Sequence, residues 1–235
     1  MVRSYPQNRN LNVITDNTYQ GLGLSQNQSY FQQYLDDIIR VMNESLTQHA
    51  GVMVVRFDLH FKSSNVYGEH NHYDSAVITK FFQSLKAKID YHYSKRKGDG
   101  LRAYPYYNFN VWAKEQDTSV YPHYHVALLI DRQTFSGLGP YGDQHQLLEV
   151  PRPYKCLSQM IIEAWASAIG ESLVQAYGLV HFSSGGSLVM TRGDRSSYLK
   201  VFQKLSYLAK VKTKQFGDGT RSFGSNNAKR GLQVA

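Results

Sequence analysis

The segment Val52–Phe61, VMVVRFDLHF, constrains the fold more than any other stretch. Val55, Phe57, Leu59 and Phe61 fall on one side of a period of two, and Arg56, Asp58 and His60 on the other. That alternation predicts a half-buried strand, because successive side chains on a strand point to opposite faces. Two further strand-like runs, Ala103–Glu115 and Tyr121–Ile130, are separated by the turn residues Asp117–Ser119 and read as an antiparallel hairpin. A short strand, Leu179–Phe182, then a Gly185-Gly186 turn and the run Ser187–Thr191 complete the extended segments.

The remaining segments carry helical spacing. From Asn27 to Ala50 the apolar residues are Tyr30, Phe31, Tyr34, Leu35, Ile38, Ile39, Met42 and Leu46. Asp74 or Ser75 is positioned to cap a second helix reaching about Tyr93, with Val77, Ile78, Phe81, Phe82, Leu85 and Ile89 inward. A third helix is expected from Leu157 to Tyr177, and a fourth from Asp194–Ser197 to about Val211. Mixed elements with an antiparallel hairpin predict an α+β fold in one domain, residues 27–214. Residues 1–26, polar and aperiodic, are expected to form an N-terminal arm, and 215–235 a basic, flexible C-terminal tail.

Composition narrows the class. The single cysteine, Cys156, excludes a disulfide scaffold or a Cys-rich zinc finger and fits a reducing compartment. The longest aliphatic run, Val126–Ile130, falls far short of the roughly 20 residues of a membrane span. No secretory signal is visible in Met1–Asn10, so a cytoplasmic protein is expected. The net charge is +8, and Lys200–Ala235 holds eight Lys/Arg against one acid, Asp218. With 18 tyrosines in the chain, that suits a polyanion bearing bases, preferably with single-stranded parts. A solvated basic tail is the plainer reading of the same charge.

The chemistry concentrates at Tyr121-Pro122-His123-Tyr124-His125. On a strand His123 and His125 project from one face, at the spacing two metal ligands need. If the hairpin turns near Ser119, Glu115 stands opposite His123 and Ala113 opposite His125. Glu115 then adds an oxygen ligand, Asp58 and His60 being the substitutes, while Ala113 and Ala127 leave room. Two nitrogens, one carboxylate and open positions suit Mg²⁺ or Mn²⁺ able to grip a phosphate. A second His-x-His, His70-Asn71-His72, lies among loop residues where nothing aligns its side chains. On a helical wheel Tyr198, Phe202, Leu205 and Ala209 share an inward arc. Tyr207 falls on the basic side with Lys200, Gln203, Lys210 and Lys214. There it is either an ordinary surface ring or a nucleophile beside a cation. A phenol with a pKa near 10 attacks a phosphodiester only with such help.

His123-Tyr124-His125 resembles the His-hydrophobe-His motif of HUH endonucleases, and Tyr207-x-x-Lys210 resembles their nucleophile motif. Arg56–Phe61 is similar to their first, strand-borne motif. The order of the three is that of rolling-circle replication initiators. RFDLHF, VWAKEQ…YPHYHVALL and YLAK-x-x-TK resemble those of filamentous-phage (inovirus) type and their prophage relatives, over roughly Val52–Lys214. The resemblance implies a central sheet of about five antiparallel strands with flanking helices. It also implies His123 and His125 as ligands and Tyr207 as nucleophile, with Lys210 balancing charge. The chemistry implied is site-specific nicking and rejoining of single-stranded or origin DNA through a 5′-phosphotyrosine. Lys200, Lys204, Lys212, Lys214 and Arg56 are the expected DNA contacts, and a bacterial host supplies helicase and polymerase. Some relatives use two tyrosines a turn apart. Here Tyr198 lies nine residues away, which predicts a one-tyrosine enzyme. An inactive DNA-binding regulator, an HUH transposase and an unrelated metallohydrolase are the alternatives.

Overall fold

A computed structural model describes residues 3–26, 28–62, 75–104, 107–116, 121–141 and 152–226. The N-terminal strands are β1 (Arg3–Tyr5), β2 (Asn8–Ile14), β3 (Thr18–Tyr19), β4 (Leu22–Gly23) and β5 (Tyr30–Phe31). Helix α1 (Gln32–Gln48), strand β6 (Gly51–His60) and helix α2 (Ser75–Gly98) follow, then the hairpin β7 (Phe109–Glu115) and β8 (His123–Asp131). Helices α3 (Leu157–Ile169) and α4 (Leu173–Tyr177) lead to β9 (Val180–Thr191). Helix α5 (Arg195–Ser206) runs into a 3-10 turn at Tyr207–Ala209, and β10 (Phe223–Ser225) closes the described chain.

The fold is α+β. A five-stranded sheet in the order β10-β7-β8-β6-β9 is antiparallel at every pairing. Helices cover both of its faces. Phe57, Trp112 and Tyr124 pack beneath α2 and α3 with Phe81 and Trp165. Val52, Val54, Val111, Ala127 and Leu129 pack beneath α1 and α5 with Leu35, Ile38, Phe202 and Leu205. The first half of β6 is therefore buried on both faces, not on one as the alternation predicts; Val52 and Val54 are as dry as Val55 and Phe57. Among the described residues no helix is long and apolar enough to cross a membrane.

Several boundaries differ from the sequence reading. Residues 3–26 are not an arm: β2 pairs with both β1 and β5, and Ile14 and Leu24 are buried against α1 and α5. Tyr30 and Phe31, expected in the first helix, pair with Ile14 and Val13 as strand, so the helix starts at Gln32. The third helix is broken in two. Gly170 ends α3 in the left-handed region at φ 71°, which glycine enters without a Cβ clash. Ser172 and Gln175 then form a capping box that starts α4.

The glycine turn expected at 185–186 lies inside one continuous strand, β9. Val55 pairs with Ser187 and Phe57 with Phe182, so Ser183–Gly186 bulge opposite Arg56. Helix α5 stops at Ser206 rather than near Val211. Lys210 leaves in extended geometry and bridges to Tyr30. The expected C-terminal tail contributes β10, which pairs with β7 through Phe223↔Ala113. Gly224 makes that approach possible, because a Cβ there would lie 2.6 Å from the Trp112 ring.

Candidate metal and nucleophile site

The site lies where one face of the sheet changes from dry to polar along three neighbouring strands. On β7 the face reads Phe109, Val111, Ala113, Glu115; on β8, Leu129, Ala127, His125, His123; on β6, Val52, Val54, Arg56, Asp58, His60. The register is the one the hairpin spacing predicts, Glu115↔His123 and Ala113↔His125, continuing to His60 and Asp58 on β6. The polar ends therefore converge, beside Ala113 and Ala127, which are fully buried.

Glu115, His123 and His125 place one ligand atom each within 4.8 Å of the others, the group among the described residues that can hold a metal ion. The Nε2 atoms of His123 and His125 are 3.1 Å apart, and His125 Nε2 is 3.1 Å from Glu115 Oε2. Neighbouring ligands of an octahedral ion with bonds of about 2.1 Å lie about 3 Å apart, so the donor set fits one divalent ion. Asp58 Oδ1 is 2.5 Å from His125 Nδ1. That contact places a proton on Nδ1 and turns Nε2 toward the shared point. Asp58 thus orients a ligand rather than replacing one. His60, the other expected substitute, stacks on His123 at 5.1 Å and lies 4.7 Å from the His181 ring.

The protonation states follow from burial and charge. Burial pushes the Glu115 carboxyl up, but the His125 hydrogen bond and the Lys214 and Lys210 ammonium groups outweigh it and hold it well below the usual carboxylate range. Burial, then His125 and His60, lower His123 to about 4, so it is neutral and ready to ligate near pH 7. Burial alone would lower His125, and its hydrogen bonds to Asp58 and Glu115 raise it instead.

Tyr207 reaches this site. Its ring sits edge-on to His125 with centroids 5.6 Å apart. Lys210 Nζ donates to the phenolic oxygen and lies 2.8 Å from Glu115 Oε2, so one ammonium bridges phenol and carboxylate. The Arg56 guanidinium lies over the Tyr207 ring, 4.4 Å from its centroid. Arg56 Nε is buried without a hydrogen-bond partner among the described residues. Two carboxylates, Asp58 and Glu115, share the site with three cationic side chains, Arg56, Lys210 and Lys214.

The wheel that placed Tyr207 on an exposed basic side does not hold beyond Ser206. Lys210 and Lys214 are both buried, at 7% and 6% exposure. Lys214, expected to contact DNA, is instead 2.6 Å from Glu115 Oε1. Burial, against the pull of Glu115, lowers its pKa to about 8. Thr213, which the sequence reading gave no role, donates to Glu115 Oε2 at 2.9 Å. It does so from φ 76°, a conformation a β-branched residue rarely adopts, so no local propensity announces it. His181 was missed because only the pairing Asp58↔His181 brings it to this face. Lys200 and Lys212 are exposed, and Lys204 is half-buried, its pKa lowered by burial and by Arg56. Tyr198 is turned away and donates to Asn43 Oδ1 at 3.0 Å. His70-Asn71-His72 lies outside the described residues.

A family model described as the YagK/YfjJ C-terminal domain matches residues 15–226. YagK, an uncharacterized protein of Escherichia coli (strain K12), is 28% identical over 214 residues, covering 88% of this chain and 96% of that protein. YfjJ, an uncharacterized protein of the same strain, is 28% identical over 205 residues, covering 83% and 94%. No solved structure matches the chain.

Proposed function

The chain belongs to the YagK/YfjJ C-terminal domain family, and for this member we propose a metal-dependent endonuclease that nicks and rejoins single-stranded DNA through a tyrosine. The observation that carries the reading is the Tyr207–Lys210–Glu115 bridge, which sets a phenolic oxygen beside a Glu/His/His donor set. An ordinary surface tyrosine has no need of a buried lysine on its oxygen.

In this reading Glu115, His123 and His125 hold Mn²⁺ or Mg²⁺, which supplies Lewis-acid polarisation of the scissile phosphate. Arg56, with an unpartnered nitrogen, takes a phosphate oxygen. Lys210 holds Tyr207 in line and stabilises its oxygen as charge develops. The Tyr207 oxygen bonds to phosphorus, the bond to the 3′ oxygen breaks, and the proton lost by the phenol is balanced by the one the 3′ oxygen gains. A 5′-phosphotyrosine and a free 3′-OH result. The linkage keeps the phosphodiester's energy, so a later 3′-OH can reverse it. In a rolling-circle cycle the free 3′-OH primes a host polymerase, and a host helicase opens the duplex.

A binding-only regulator is the second reading. It draws on Glu115, both of whose oxygens are already engaged by lysines. One assay separates the two. The protein and its Tyr207→Phe variant are incubated with labelled single-stranded DNA and Mn²⁺, then denatured. The nickase gives a covalent adduct that Tyr207→Phe abolishes. A regulator gives none from either protein, and a metallohydrolase cuts with both and links with neither.

A further inference from the structure

The sequence reading assigned nearly all the excess positive charge to the C-terminal end. Helix α2 carries a second concentration: Lys80, Lys86, Lys88, Lys95, Arg96 and Lys97 against the single acid Asp90. These residues lie on the layer that covers the Phe57–Trp112–Tyr124 face of the sheet, opposite the Tyr207 site. Between α2 and α3 this layer has a cavity of about 460 Å³, lined by Lys88, Tyr91, Lys95, Arg152, Tyr154 and Lys155 among others. That volume is in the range that holds a small organic ligand or one unit of a polymer.

The lining combines an exposed ring, Tyr91, with a ring already set among cations, Tyr154, which also packs edge-on to His92 at 5.7 Å. Tyr91 is 68% exposed, so its ring is open to a ligand in the groove. The Tyr154 hydroxyl donates to Asp99 at 2.7 Å, which anchors the ring by its polar end. Lys95 and Arg96 stand 5.1 and 5.2 Å from the centroid of that ring. Glu163, the carboxylate in the lining, is already engaged by Lys155 at 2.7 Å and Lys88 at 3.8 Å. Arg152 Nη1 is buried with no hydrogen-bond partner among the described residues.

We propose that this groove binds single-stranded nucleic acid, as a contact separate from the Tyr207 site. Stacking on tyrosine faces needs splayed bases, which a duplex hides, and the cations match the phosphates between those bases. An acidic peptide would satisfy the charge and leave the rings idle.

The test uses the full chain and fluorescence anisotropy with labelled oligo-deoxythymidine and oligo-uridine of about 20 nucleotides. Tyr91→Ala/Tyr154→Ala weakens binding of at least one polymer about tenfold or more. Lys88→Gln/Lys95→Gln, which spares the rings, lowers the slope of log affinity against log salt by about 1.4. With bromodeoxyuridine in the strand, ultraviolet crosslinks fall on peptides containing Tyr91 or Tyr154. Covalent adduct formation with a short strand of about six nucleotides stays at the parent level in both variants, so this groove and the nicking reading fail separately. Melting curves matching the parent keep a loss of binding from being a loss of fold. Affinity and salt slope unchanged within about twofold in both variants, crosslinks confined to other peptides, or displacement by poly-glutamate as effective as by oligonucleotide overturns the proposal.

Discussion

At the scale of single residues, the site is built by buried charge compensation. Glu115 is 2% exposed and survives as a carboxylate because His125, Lys214 and Lys210 lie against it. Removing Lys214 takes one charge partner from a buried carboxylate that keeps Lys210 and His125, so Lys214→Ala is expected to destabilise the protein by about 1–3 kcal/mol in urea unfolding. Lys200→Ala, on an exposed position, is expected to change stability by less than about 0.5 kcal/mol. Asp58 contacts His125 and stands outside the Glu115/His123/His125 cluster. Asp58→Asn keeps the shape but frees the ring to take the other tautomer, and is expected to weaken Mn²⁺ binding about 10–100-fold in calorimetric titration, with the melting curve little changed. The ligand trio was legible from strand period and hairpin register, since both are rules of local geometry. The roles of Lys214 and Thr213 were not, because a wheel extended past Ser206 assumes a helix that the chain leaves.

At the scale of elements, the sheet edge depends on one missing side chain. A Cβ on Gly224 enters the Trp112 ring, whose atoms are part of the core beneath α2. Gly224→Ala is therefore expected to cost about 1–3 kcal/mol and to free β10 from β7, read as faster amide exchange at Trp112 and at Lys114, whose N–H donates to the Ser222 carbonyl. The strands facing the core were legible in outline because alternation survives any packing. The element ends were not. Gly170 and the Ser172–Gln175 box stop and restart a helix within a few residues that keep an apolar pattern throughout, and the Gly185-Gly186 pair reads alike as a turn or as a bulge.

At the scale of the whole molecule, histidines buried away from the site add to the loss of stability in acid. His92 is 7% exposed, stacked on Phe135 at 5.0 Å, and burial, then Arg96, lower its pKa from 6.5. The folded state then binds fewer protons than the unfolded chain just below pH 6.5, so stability rises with pH across that window and is lost as pH falls through it. His49, lowered by burial against Asp131, acts in the same direction. His92→Gln is expected to flatten the decline in melting temperature between about pH 7.5 and 5.5. The N-terminal strands belong to the same body. Ile14 and Leu24 are core residues, and the Ser25 N–H donates to Ser206 Oγ, one residue before Tyr207. Deleting residues 1–26 is expected to lower the melting temperature by about 5 °C or more in calorimetry, where a free arm would leave it unchanged.

The sequence by itself determined which residues share a face. The period of two on β6, β7 and β8 commits Glu115, His123, His125 and Asp58 to one side of the sheet, because pleating depends on nothing beyond the strand. Only the tertiary structure decided what those residues meet. Tyr207, Lys210 and Lys214 are separated from Glu115 by about a hundred positions of chain, and no period relates them. They arrive because α5 ends where Lys210 pairs with Tyr30 and Thr213 turns back on Glu115, contacts set by packing free energy over the whole domain.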